Sequence, residues 1–117
     1  MMGDYKLISL KTPGVSLYMG KKEGGIIFFL TKDTFYIEGK INTRLFYDAL
    51  SAINSSTYTD SSCLKNVGHS DNGGEDRVKI ALGLGEEKMK DFVQVLFLVG
   101  ERELIRVFAD WNELKSL

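Results

Sequence analysis

Residues 86–108 read EEKMKDFVQVLFLVGERELIRVF, and the fold turns on how this stretch is read. Met89, Phe92, Val93, Leu96 and Phe97 recur at the spacing of one helical face, and Glu86 and Glu87 suit a helix N-terminus. VQVLFLV is also rich in strand-forming residues, and GERE could be a hairpin turn leading into LIRVF. The helical spacing continues through ELIRVFADWNELKSL (103–117), where Leu104, Ile105, Val107, Phe108, Trp111 and Leu114 share a face. The pattern therefore predicts two helices, with Gly100 as the C-terminal stop of the first.

Upstream, the first forty residues read as a β-meander. YKLISL (5–10), VSLYMG (15–20), GIIFFLT (25–31) and TFYIEGKI (34–41) are rich in β-branched, aromatic and leucine residues. Thr12-Pro13-Gly14, the 20–25 stretch GKKEGG and Lys32-Asp33 separate them with turn chemistry. In TFYIEGKI, Phe35, Ile37 and Gly39 alternate with Tyr36, Glu38 and Lys40, as in a strand wet on one side. IIFFL lacks alternation and reads as a central strand covered on both faces. Asn42 or Thr43 suits the N-cap of a helix through TRLFYDALSAI, with Leu45, Phe46, Ala49, Leu50 and Ile53 as its buried stripe. Residues 54–77 show no clear period and read as a long polar loop. RVKIALGLG (77–85) then gives a fifth strand. The expectation is a single α+β domain over residues 1–117. It is an antiparallel meander of about five strands packed by about three helices, ordered ββββα-loop-βαα.

Composition narrows the function classes. The 44 % hydrophobic and 26 % charged fractions belong to an ordinary globular chain with one core. The formal charge of −1 argues against non-specific nucleic-acid binding, which needs a basic footprint. Residues 1–53 carry seven Lys/Arg and five Asp/Glu, and residues 54–117 carry eight and eleven, so the second half is mildly acidic. One cysteine, no signal-like N-terminus and no apolar run near ~20 residues predict a cytoplasmic protein away from membranes.

The stretch GHSDNGGEDR (68–77) holds the only histidine, and the only cysteine lies just upstream. Cys63, His69, Asp71 and Asp76 are conceivable metal ligands, but they match neither the twelve-residue calcium frame nor paired zinc spacing. Cys63, His69 and an aspartate name the parts of a thiol triad, yet all fall in one polar stretch with nothing evident to order them. KIALGLGEEK places Gly83 and Gly85 where a phosphate turn could lie, but Lys88 occupies the third glycine position and two glutamates would repel phosphate. Phe28, Phe29, Phe35 and Tyr36 beside Lys21, Lys22, Lys32 and Lys40 suggest a stacking surface for RNA, without an RNP-like string. No pair of carboxylates has the setting of an acid–base site. No cofactor is expected.

These readings predict a non-enzymatic protein-binding module, because the tyrosines and Trp111 cannot all be core and such residues anchor interfaces. Within that class, a small bacterial immunity or antitoxin-type protein has this size and mild acidity, and would neutralise a toxin domain, plausibly a basic one, by direct binding. Expected partner-binding residues are Tyr58, Asp60, His69, Asp71, Glu75 and Asp76 in the loop, with Glu101, Glu103, Asp110 and Trp111 in the acidic C-terminal part. The alternatives are a small enzyme or ligand-binding domain using the Cys63/His69 loop, or an assembly subunit acting by strand addition. Homo-oligomers stay open.

Overall fold

A computed structural model describes residues 4–55, 63–70, 77–84 and 91–117. Eight antiparallel strands form one sheet in sequential order: β1 (Lys6–Ile8), β2 (Ser16–Lys22), β3 (Gly25–Lys32), β4 (Phe35–Ile41), β5 (Cys63–Ser70), β6 (Val78–Leu84), β7 (Phe92–Val99) and β8 (Arg102–Asp110). Helix α1 (Thr43–Ser55) joins β4 to β5, and the five-residue α2 (Trp111–Lys115) follows β8. This corrects the α+β expectation. Among the described residues the molecule is mostly β, with two short helices in place of about three and eight strands in place of five.

The decisive stretch is a hairpin. Val93, Val95 and Phe97 turn inward from β7, and Val107 and Ala109 turn inward from β8. Val99 pairs with Arg102, so the loop is only Gly100-Glu101. Gly100 has φ 63°, the sign a type II′ hairpin turn requires at its first central position. The glycine read as a helix stop is therefore a strand reversal. The helical spacing misled because Leu96 is also buried, on the face opposite Val95 and Phe97, so β7 is apolar on both sides. A short apolar run of that kind fits either period. A strand also replaces part of the expected 54–77 loop: Cys63–Ser70 is β5, paired to both β4 and β6.

The sheet curls until its ends meet. Beyond β1, Leu10 bridges Ala109, Lys11 N donates to Phe108 O, and Asp110 N donates to Ser9 O, both at 2.9 Å. Phe108 N donates to Thr12 Oγ1 at 3.1 Å. The Glu113 carboxylate tightens this seam, accepting from Ser9 N at 2.8 Å and from Ser9 Oγ at 2.6 Å. Closure is visible in the core too. Phe28 on β3 and Phe97 on β7, four strands apart in the sheet, bring their ring centroids within 5.7 Å. The result is a small barrel whose inside is filled by side chains. Leu17, Met19, Ile26, Leu30, Ile41, Ile80 and Leu82 are all buried there.

A tight corner lies between β4 and β5. Only Gly39–Ser70, Lys40–His69 and Ile41–Gly68 pair across it. A Cβ on Gly39 would overlap the His69 carbonyl, and one on Gly68 would overlap the Lys40 carbonyl, so only glycine lets the backbones approach. On one side of this short contact the strands diverge, and α1 packs against β5 and β6. Asn42 caps it, Oδ1 accepting from Leu45 N at 2.9 Å. Phe46, Ala49, Leu50 and Ile53 join the core, whereas Leu45 stays exposed. Tyr47 ties the helix to the C-terminal segment by donating its hydroxyl to the Leu117 carbonyl.

Three outcomes follow. Phe97→Ala should cost about 3–5 kcal/mol in denaturant unfolding, the range for removing a large core aromatic. Gly68→Ala should cost about 1–3 kcal/mol by forcing β4 from β5. Desolvation raises the Tyr47 pKa above 10.0. The folded state therefore keeps the proton where the unfolded chain releases it, and this contribution is full below the unfolded value and lost as pH rises past it. Stability should fall through the alkaline range, and Tyr47→Phe should flatten that slope in melts read against pH.

Candidate binding surface

The outward residues of the first four strands line up because side chains alternate with period two. Leu7 pairs with Tyr18, Tyr18 with Phe29, and Phe29 with Glu38. Tyr36, diagonal to Phe29, stacks on it with ring centroids 5.1 Å apart and planes at 15°. Tyr36 is 60 % exposed and Leu7 54 %. Aromatic and aliphatic side chains thus form a contiguous outward patch. Of the aromatics singled out in the sequence, Phe28 goes to the core, while Phe29 and Tyr36 build this patch and Phe35 stays exposed at the start of β4.

One row along, Ile27 pairs with Lys40, Lys40 with His69, His69 with Lys79, and Lys79 with Leu98. Lys40, His69 and Lys79 are exposed on three neighbouring strands, and Arg77 is exposed two residues before Lys79. His69 Nδ1 lies 3.1 Å from the Ser70 carbonyl. A carbonyl only accepts, so that nitrogen carries hydrogen and Nε2 is the one left for an outside partner.

The other expected site residues take separate roles. Glu101 sits exposed in the β7–β8 turn. Glu103 is ion-paired with Arg106, Oε1 to Nη2 at 2.7 Å. Asp110 is the N-cap of α2, its carboxylate accepting from Glu113 N at 3.0 Å. Trp111 is half-buried against the core, with Lys115 Nζ 5.3 Å from its ring centre. Asp110, one of the acids that suggested a docking face, is thus engaged in the α2 cap, and its neighbour Glu113 in the seam. Tyr58, Asp60, Asp71, Glu75 and Asp76 lie outside the described residues, as do Gly85, Lys88 and the two glutamates of the G-x-G turn.

Cys63 and His69 begin and nearly end one strand, six residues apart, on the order of 20 Å at ~3.3 Å per residue. A thiol–imidazole pair needs hydrogen-bond reach. Among the described residues no group of three His, Cys, Asp or Glu converges as a metal site. No described helix is long and apolar enough to cross a membrane. For strand addition, the edge of β8 from Arg102 to Arg106 has no second strand among the described residues. It is short, carries the Glu103–Arg106 pair, and is distorted by a register break opposite Phe97/Leu98, features that discourage edge pairing. Shallow hollows of about 370 and 400 Å³ lie beside α1, one against Leu64 and Asn66 of β5, the other at the β2–β3 turn with Lys21, Lys22 and Arg44.

Comparison with protein-family models, with curated proteins and with solved structures gives no match for this chain. The outward patch and cation row were missed as a unit in the sequence. The alternation of Tyr36, Glu38 and Lys40 was visible, but the pairing that sets Phe29 beside Tyr36 and Lys40 beside His69 is not a local signal.

Because Asp110 caps α2 beside the seam, Asp110→Ala should lower stability by about 1 kcal/mol in chemical denaturation. Glu101→Gln, in an exposed turn, should stay within about 0.5 kcal/mol of the parent.

Proposed function

We propose that the protein is a non-enzymatic protein-binding module that docks a partner on the outward face of β1–β4. The observation that carries this reading is the outward Leu7–Tyr18–Phe29–Tyr36 patch, exposed at Leu7 and Tyr36 and half-buried between them, outside a barrel whose inward residues pack as one core. Stacked aromatics on a rigid sheet lose little conformational freedom on binding, which is why tyrosine anchors interfaces so often. Neutralising a toxin domain by direct binding, in the manner of an immunity or antitoxin protein, is the form of this reading favoured by small size. The intramolecular engagement of Asp110 and Glu113 supports reading the aromatic face, ahead of the acidic C-terminal part, as the docking surface. Action in the cytoplasm belongs to the same proposal, resting on the single cysteine.

Affinity capture from the native host with the intact chain should recover one partner in defined stoichiometry. Tyr36→Ala or Leu7→Ser should weaken that complex by about 2 kcal/mol, roughly thirtyfold, by calorimetry. Cys63→Ala and His69→Ala should leave the fold intact, and a hydrolytic or transfer activity lost on either change would sink the proposal in favour of an enzyme.

A further inference from the structure

The cation row beside the aromatic patch says something about the partner. Lys40 and Lys79 flank His69 on adjacent strands, with Arg77 nearby. Lys40 pairs in register with Ile27 and His69, and Lys79 with His69 and Leu98, so no carboxylate faces either lysine across the described strands. The two ion pairs among the described residues are Arg44–Asp48 and Glu103–Arg106, and neither involves the row. Among the described residues Glu38 is the carboxylate within the adjoining patch, paired in register with Phe29. Lys40 and Lys79 sit two strand spacings apart, about 10 Å, a span that neighbouring carboxylates of an extended or helical segment can match.

We infer that the partner meets this face with an acidic polypeptide segment. Its carboxylates lie along Lys40, His69 and Lys79, and an apolar side chain rests on the Phe29–Tyr36 stack. This deepens the protein-binding proposal and rests on it. Nucleic acid would use the same charges, but the patch is poorly made for it. Phe29 and Tyr36 stack on each other instead of offering both ring faces to bases, and Glu38 stands in the path of a phosphate backbone. Complementary charge of this kind acts chiefly on association rate and partner choice.

The test uses the ¹⁵N-labelled full chain and three probes. One is a short synthetic peptide with a central Leu-Trp pair flanked by glutamates, the second its lysine-flanked counterpart, and the third an oligodeoxythymidine. The glutamate peptide should shift the amides of residues 36–40, 69 and 79, and lose affinity as salt rises from about 50 to about 300 mM. Lys40→Glu/Lys79→Glu should reduce its binding roughly tenfold or more. The milder Lys40→Gln/Lys79→Gln variant, with an unchanged melting temperature, guards against a folding artefact. Shifts centred on Lys21, Lys22 and Arg44, equal binding of the lysine peptide, tighter binding of the oligonucleotide, or no shift at all would each overturn the inference. The partner recovered by capture separates the two claims. If its affinity falls with Tyr36→Ala yet ignores the charge reversal, the interface stands and the acidic segment does not.

Discussion

The structure depends on the seam where the strand leaving β1 meets β8. An open eight-stranded sheet of this chain would leave a wide apolar face in water, because a single 13-residue helix cannot cover it. Three residues close it. Ser9, Leu10 and Lys11 join Phe108, Ala109 and Asp110, and the side chains of Thr12 and Glu113 add contacts that no strand pairing supplies. Closure brings β3 against β7 and seals Phe28 and Phe97 together. Each such ring contributes about 1.5–3 kcal/mol by leaving water. The seam is thus a small contact that makes the large one available, and α2 exists largely to hold it. Its cap, Asp110, and its Glu113 both act there.

With the inward side chains packed as one core, the surface left for contact is outward. Larger barrels keep a lumen for a ligand, whereas here Phe46, Leu50 and Ile53 of α1 join the inward strand residues in one core. What a partner can meet is the convex surface, the rims and the hollows flanking α1. Of these, the surface of β1–β4 combines exposed aromatic area with rigid support. The hollows are shallow, and their walls are mainly the flanks of an exposed helix face.

Much of this was legible locally. The first four strands, the helix with Asn42 as its cap, and the strand at Val78–Leu84 follow composition, turn residues and capping chemistry that each element carries within itself. The facing of β3 differs from its reading as a strand covered on both sides: Ile26, Phe28 and Leu30 are buried while Ile27 and Phe29 turn outward half-buried. The C-terminal half was not. Leu96 and Ala81 are buried on the face away from the main core, so β7 shows no alternation to betray it as a strand. Gly100 signals a chain reversal equally well after a helix and between strands. The strand Cys63–Ser70 carries few strand formers: Leu64 is exposed, Lys65, Asn66 and His69 are polar, and Val67 alone is fully buried among its apolar residues. It is a strand because β4 and β6 need a partner between them, which is a long-range fact. The same limit hid the outward patch and the row beside it, since pairing partners 9 to 29 residues apart in the chain had to be known first.

The corner between β4 and β5 links that surface to the core. Gly39 and Gly68 face a neighbouring backbone so closely that no side chain fits, while Ile37, Ile41 and Ser70 are buried beside them. With period two, those inward residues force Lys40 and His69 outward and opposite each other. A slip of one residue would place a lysine in the core and a glycine on the surface. The register is therefore held by the interior, and Lys40, His69 and Lys79 stay side by side on the outer surface because of it. That outward row is kept in place by packing that is indifferent to its chemistry.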